Sequence, residues 1–255
     1  MKNLILTLLF LLNLSVWAQS NAQTYNGLKG WTDKPATSIE NKVQNRNVRP
    51  YDALRIEGDF EVILYRGEEG KIELSGPQSL LEEVEVENTS NGLRIKYATQ
   101  WKKMFKSQSK NSTIRVRIPF ESLSSVSLSG SGRIQTEDTL QIQQFKAQLS
   151  GSGKIELDLD TRQTTVSLSG SGRLELHGQS ENLSSRLAGS GIIDCKNLKT
   201  QSSDASLSGS GHIYLHSLKS INSSIAGSGN VSVYGSPPKV KSKTAGSGKI
   251  KLIER

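Results

Sequence analysis

The 255-residue sequence holds one cysteine, Cys195, and three histidines, His177, His212 and His216. A single thiol cannot close an internal disulfide, so no disulfide framework shapes the chain. No second long hydrophobic segment follows the one at the N-terminus, so no transmembrane segment is expected in the mature chain. The histidines carry no metal signal: His212 and His216 have a spacing that meets zinc on a helix, but on a strand lies about 13 Å apart. His177 and His216 are expected in one column, two copies of a repeat apart, with Lys196 between them. Gly-Lys-Ser/Thr, the ending of a phosphate loop, is missing after every glycine cluster, and the nine-residue aspartate-bearing repeat of a calcium roll is missing too. No cofactor is called for.

What is present begins with MKNLILTLLFLLNLSVWAQ, in which a basic start, an apolar run from Leu4 to Trp17 and small residues at Ala18 read as a secretory signal peptide over residues 1–18. The apolar run is short of the ~20 residues that span a bilayer, which argues against an uncleaved anchor. Removal of residues 1–18 leaves 237 residues and lowers the formal charge from +8 to +7, Lys2 being the one charge lost. The basic balance of an exported chain is first a solvated surface that keeps it soluble; as partners, anionic lipid or acidic glycan come before nucleic acid, which is not expected. Residues 19–47 are polar, without period, and read as a flexible leader.

From residue 119 onward a Gly-Ser-Gly core recurs seven times, at Gly130–Gly132, Gly151–Gly153, Gly170–Gly172, Gly189–Gly191, Gly209–Gly211, Gly227–Gly229 and Gly246–Gly248. The spacings are 21, 19, 19, 20, 18 and 19 residues, the period of stacked units. Around each core the apolar or glycine positions alternate with polar ones, as in Leu168, Gly170, Gly172, Leu174 and Leu176, which is the period of a strand. One such unit cannot bury its own apolar face; copies stacked in parallel about 4.8 Å apart can. The expectation is an all-β chain, a right-handed parallel β-helix of about seven rungs with a β-rich N-terminal region over residues 48–118. Fourteen glycines in strand-like structure would cost on the order of 10 kcal/mol against alanine, so the positions themselves must demand glycine. Either a corner needs φ > 0 or a neighbouring wall leaves no room for a Cβ; the sequence leaves both open.

The ordered series RPYDALRIEGDFEVILYRGEEGKIEL, EVEVENTSNGLRIKY and TIRVRIPFESLSSVSLSGSGRI resembles the head GIN domain family of auto-transporter-adhesin type, common in Bacteroidetes-type bacteria. The resemblance covers residues 48–255. It implies an exported β-helical protein for which adhesion is proposed, and it brings no catalytic residues. No series of ~10-residue strands for a membrane barrel follows the last copy, so periplasmic residence or display on the outer surface by another route is expected.

Two outward columns follow each core: Arg133, Lys154, Arg173, Ile192, His212, Asn230 and Lys249, then Gln135, Glu156, Glu175, Asp194, Tyr214, Ser232 and Lys251. Glu156, Glu175 and Asp194 fall at successive ~4.8 Å steps, with Asp158 nearby, a spacing that would suit a glycosidase or lyase, or a Ca²⁺ ion. Lys154 and Arg173 on the same face offer the alternative of a salt-bridge lattice, which is the expected role, with no metal. Cys195 lies in an inward column and is expected in the core. The segment QWKKMFKSQSK sets Trp101 and Phe105 among Lys102, Lys103 and Lys106, a composition suited to anionic headgroups or sugars. A hairpin loop whose aromatics tuck against the solenoid is the alternative; among contact sites this segment is the leading candidate. The reading that results is a non-catalytic, adhesin-like or structural cell-envelope protein, with a polysaccharide-active enzyme as the alternative. A cell-surface, glycan or anionic partner is expected, and a homo-oligomer through the terminal KIKLIE rung stays open.

Overall fold

A computed structural model describes residues 41–90, 92–98 and 113–253. The described part is a β-solenoid of about seven turns, its strands hydrogen-bonded into one sheet. Strands β8 (Ser125–Gly130) and β9 (Arg133–Thr136) form the first Gly-Ser-Gly turn. Long bent strands follow: β10 (Leu140–Gly151), β11 (Lys154–Gly170), β12 (Arg173–Gly189), β13 (Ile192–Gly209) and β14 (His212–Gly227). Strands β15 (Asn230–Tyr234), β16 (Lys239–Ala245) and β17 (Lys249–Ile253) close the series.

Each strand pairs in parallel with its equivalent one copy on, in the register read from the cores: Leu149 with Leu168, Leu168 with Leu187, Leu187 with Leu207. The inward leucines and isoleucines, with Cys195 among them, make one continuous core. Among the described residues no further copy covers that column on the turn of β17, and Leu252 is 52% exposed.

The N-terminal strands join this stack out of chain order. Strands β2 (Ala53–Glu57) and β3 (Glu61–Arg66) lie directly on β8 and β9, and on their other side sit β6 (Gly92–Tyr97) and β7 (Arg115–Phe120). The turn Gly58–Phe60 is thus a further, degenerate copy of the glycine core, placed between two segments that come later in sequence. Phe60 replaces the second glycine, buried with its ring stacked on Tyr97 at 4.3 Å. Strand β4 (Lys71–Pro77) pairs antiparallel with β7 and with β1 (Asn41–Asn47), and β5 (Val84–Thr89) antiparallel with β6. Residues 41–47, within the polar segment read as a leader, therefore form a strand; backbone pairing to an edge needs no apolar period.

Candidate functional site

Each turn has a glycine corner, and the structure resolves what those glycines are for. The first glycine of every core has φ between +121° and +132°, a region side-chain-bearing residues avoid. A Cβ on it would lie 2.4–2.5 Å from the carbonyl oxygen of the equivalent residue one turn back. The second glycine has no such φ but is equally confined: a Cβ at Gly172 would stand 2.6 Å from the Gly153 oxygen and 2.8 Å from Leu149 Cδ2. The corner is thus both a turn and a squeeze at the first position, and a squeeze alone at the second. Close approach lets Ser152 and Gly153 both donate to the Gly130 oxygen at 3.1 and 3.0 Å, a pattern repeated up the rod. Little is left at this corner for recognition beyond the exposed serine.

On the outward columns Glu156 pairs with Glu175 and Glu175 with Asp194, as the spacing predicts. The acids are not free. Lys154 Nζ bridges Glu156 at 2.8 Å and Glu175 at 2.7 Å, Arg173 adds a 3.4 Å contact to Glu175, and Lys196 holds Asp194 at 2.9 Å. The Lys154 hydrogen bond holds the Glu156 carboxyl below the ordinary glutamate value against the opposing effect of burial. Burial works to lower the Lys154 ammonium, but its bonds to Glu156 and Glu175 outweigh it and raise the value. Ligand atoms of Glu156, Glu175 and His177 lie within 4.8 Å of one another, yet Lys154 stands between the two carboxylates where a cation would go. Neither Glu156 nor Glu175 nor Asp194 lines either recess described below. Full burial pushes the Cys195 thiol up, leaving little thiolate for nucleophilic work.

The corner opposite the glycines was invisible as a motif. Its inward column is Thr161, Ser180, Thr200 and Ser217, all buried and in register. Their hydroxyls close the bend: Thr161 Oγ1 meets Thr164 Oγ1 at 2.7 Å and donates to Ser180 Oγ at 2.9 Å, while Thr200 Oγ1 donates to the His216 carbonyl at 2.7 Å. On either side run the outward columns Gln141, Asp160, Gln179, Lys199 and Gln143, Arg162, Glu181, Gln201. Together they line an open groove of about 990 Å³ that crosses four turns, about 14 Å along the axis.

Copy-length differences are absorbed on this side. Glu175 pairs with Asp194 but His177 with Asn197; Cys195 pairs with Leu215 but Lys199 with His216, so Lys196–Leu198 have no counterpart in β14. Asn197, not Lys196, consequently stands opposite His177, because the bulge shifts the register by one. Beside it opens a recess of about 570 Å³ lined by Lys196, Asn197, Lys199, His216, Tyr234 and the Gly235–Ser236 bend. Lys199 lines both recess and groove. The signal for this site was the 20-residue spacing followed by one of 18. The lysine-rich segment with Trp101, Lys102, Lys103, Phe105 and Lys106 lies outside the described residues, as does the N-terminal apolar segment.

These features define a β-solenoid with a rigid glycine corner and an irregular polar corner. The chain belongs to the family described as "Putative auto-transporter adhesin, head GIN domain", whose model matches residues 50–237. Among solved structures it is similar to a putative adhesin from Bacteroides fragilis, 22% identical with a TM-score of 0.71 over 85% of this chain and 98% of that one. A putative lipid binding protein from Parabacteroides distasonis is 19% identical with a TM-score of 0.68, again over 85% and 98%. A putative adhesin from Parabacteroides merdae is 17% identical with a TM-score of 0.64 over 85% and 97%. These likenesses establish a shared fold. No curated protein matches the chain. Among the described residues no helix is long and apolar enough to cross a membrane.

Proposed function

We propose that the protein is an exported, non-catalytic binding module of the cell envelope, adhesin-like, that holds an extended glycan in the groove along its hydroxyl corner. The observation that carries this reading is the groove itself: a track of side-chain amides and charged groups, with Arg162 and Glu181 paired, in register over four turns, suited to a linear ligand with a repeating unit. Adhesin names among the structural neighbours agree with it, and the name of the lipid-binding neighbour keeps an acyl or headgroup ligand as the competing outcome. A glycan-cleaving role for Glu156, Glu175 and Asp194 is disfavoured because lysine ammoniums occupy the carboxylates that would serve as acid and nucleophile. Trp101, Lys102, Lys103, Phe105 and Lys106 are a second proposed contact, with an anionic surface.

The test is binding of the full-length protein to an array of neutral and acidic oligosaccharides, with a Gln179→Ala, Gln201→Ala double variant beside it. Retained binding to extended chains, about tenfold weaker in the double variant and without new reducing ends or unsaturated products, supports the proposal. Cleavage lost on Glu175→Gln would overturn it. Surface proteolysis of intact cells separates outer display, where the protein is cut, from periplasmic residence, where it is spared.

A further inference from the structure

We propose that the recess at the end of the groove is an anion subsite that takes the carboxylate of a single acidic sugar, whose neutral neighbours lie along the groove. This rests on the reading of the groove as a glycan site and adds the class of ligand.

Of the cations in the recess, Lys196 is committed to Asp194, whereas Lys199 makes no ion pair among the described residues. One uncompensated ammonium matches a singly charged group such as a carboxylate and leaves a dianionic phosphate monoester half neutralised; the singly charged phosphodiester of a lipid is distinguished by the vesicle arm below. The recess, at about 570 Å³, has the size of a small-molecule site, not that of a bare ion. Asn197 brings a side-chain amide and Tyr234 an aromatic face with a polar end, groups suited to a hydroxylated ring. His216 is fixed by the contact of its Nδ1 with the Lys196 carbonyl at 3.3 Å, which makes that nitrogen the donor. Gly235, at φ +92°, makes room against it: a Cβ there would lie 2.8 Å from His216 Cδ2 and 3.0 Å from Nε2.

The groove supplies the complementary half of the argument. Asp160 and Glu181 line it, and Arg162 is shared with Glu181 at 3.8 Å, so a continuous polyanion would meet carboxylates one and two turns from Lys199. An acid confined to one residue, with neutral units beyond it, meets positive charge at the recess and amides elsewhere.

The experiment uses matched pairs of oligosaccharides, each neutral tri- or tetrasaccharide beside the same chain bearing one uronate, titrated into the full-length protein. Trigalacturonate and phosphatidylglycerol vesicles serve as further arms. The single-uronate member should bind about tenfold more tightly than its neutral partner, the worth of one charge-assisted hydrogen bond, and the advantage should shrink as salt rises. Lys199→Gln should erase that difference between charged and neutral members, whatever it does to the binding of both through the groove; Lys199→Arg should keep it. Circular dichroism of the exposed Lys199 variants checks that the fold is intact. Equal binding of both members overturns the inference and leaves the groove reading standing, whereas binding of neither overturns both. Tighter binding of trigalacturonate, or Lys199-dependent binding to vesicles alone, would replace the isolated uronate by a polyanion or a lipid phosphate and overturn it as well.

Discussion

At the glycine corner seven copies repeat one geometry, each backbone oxygen standing 2.4–2.6 Å from where the next turn's side chain would begin. At the opposite corner the register between β12 and β14 slips three times, and threonine and serine hydroxyls do the work of closing the bend. Backbone pressed against backbone tolerates no variation, because any added atom must displace a neighbouring turn that is itself fixed. Side-chain hydroxyls tolerate a good deal, since a bond lost on one partner can be remade to a carbonyl or a neighbouring Oγ. Conformity therefore accumulates on one side of the rod and irregularity on the other. The groove and the recess beside it both lie on the irregular side.

Substitutions can break that contrast. The largest effect is expected from Gly170→Ala, which combines φ +121° with a 2.5 Å approach to the Gly151 oxygen and should destabilise by about 3–5 kcal/mol, read by chemical denaturation. Gly172→Ala meets the squeeze without the unfavourable φ and should cost about 2–3 kcal/mol. Gly70→Ala meets φ +120° with nothing within 4 Å, isolating backbone strain at about 1–2 kcal/mol. At the far corner Thr200→Val removes the hydroxyl that joins Ser203 and the His216 carbonyl, for about 1–2 kcal/mol by the same measurement. A far-corner substitution costing more than Gly170→Ala would reverse the assignment of rigidity.

The smallest effect belongs to the charged face. Lys154→Met should change stability by under about 1 kcal/mol, since the pairs it breaks are partly exposed. The pH dependence has a definite sign. Glu156, bonded by Lys154, and Glu57, bonded by Arg94, are both held below the ordinary glutamate value of 4.5. Their contribution is complete above about 4.5 and is lost as pH falls through the lowered values, so denaturation followed from pH 7 to pH 3 should show a shallow acid-side decline. Lys154→Met should flatten that decline.

The repeat, its strand period and the register of the inward column were legible in sequence because glycine and leucine recur at fixed offsets. Glu156, Glu175 and Asp194 were placed correctly in one column, and their lysine partners were visible beside them. The degenerate copy at Gly58–Phe60 was not, since phenylalanine replaces the second glycine and its turn stacks between segments that follow it in the chain. Nor was the hydroxyl corner, because serine and threonine are as common on the exposed face as in the buried column. The recess was legible only as a difference in copy length. Spacings of 20 and 18 residues say that register must slip somewhere, but not that Lys196–Leu198 are the residues left without a counterpart in β14.

The division of labour between the corners is tested most directly by backbone amide hydrogen exchange with and without a single-uronate tetrasaccharide. The account predicts added protection in residues 196–201, 216–218 and 234–236, with the seven Gly-Ser-Gly cores slow to exchange in both states and unchanged. Protection that appears at the glycine cores and is absent from the far corner would contradict it.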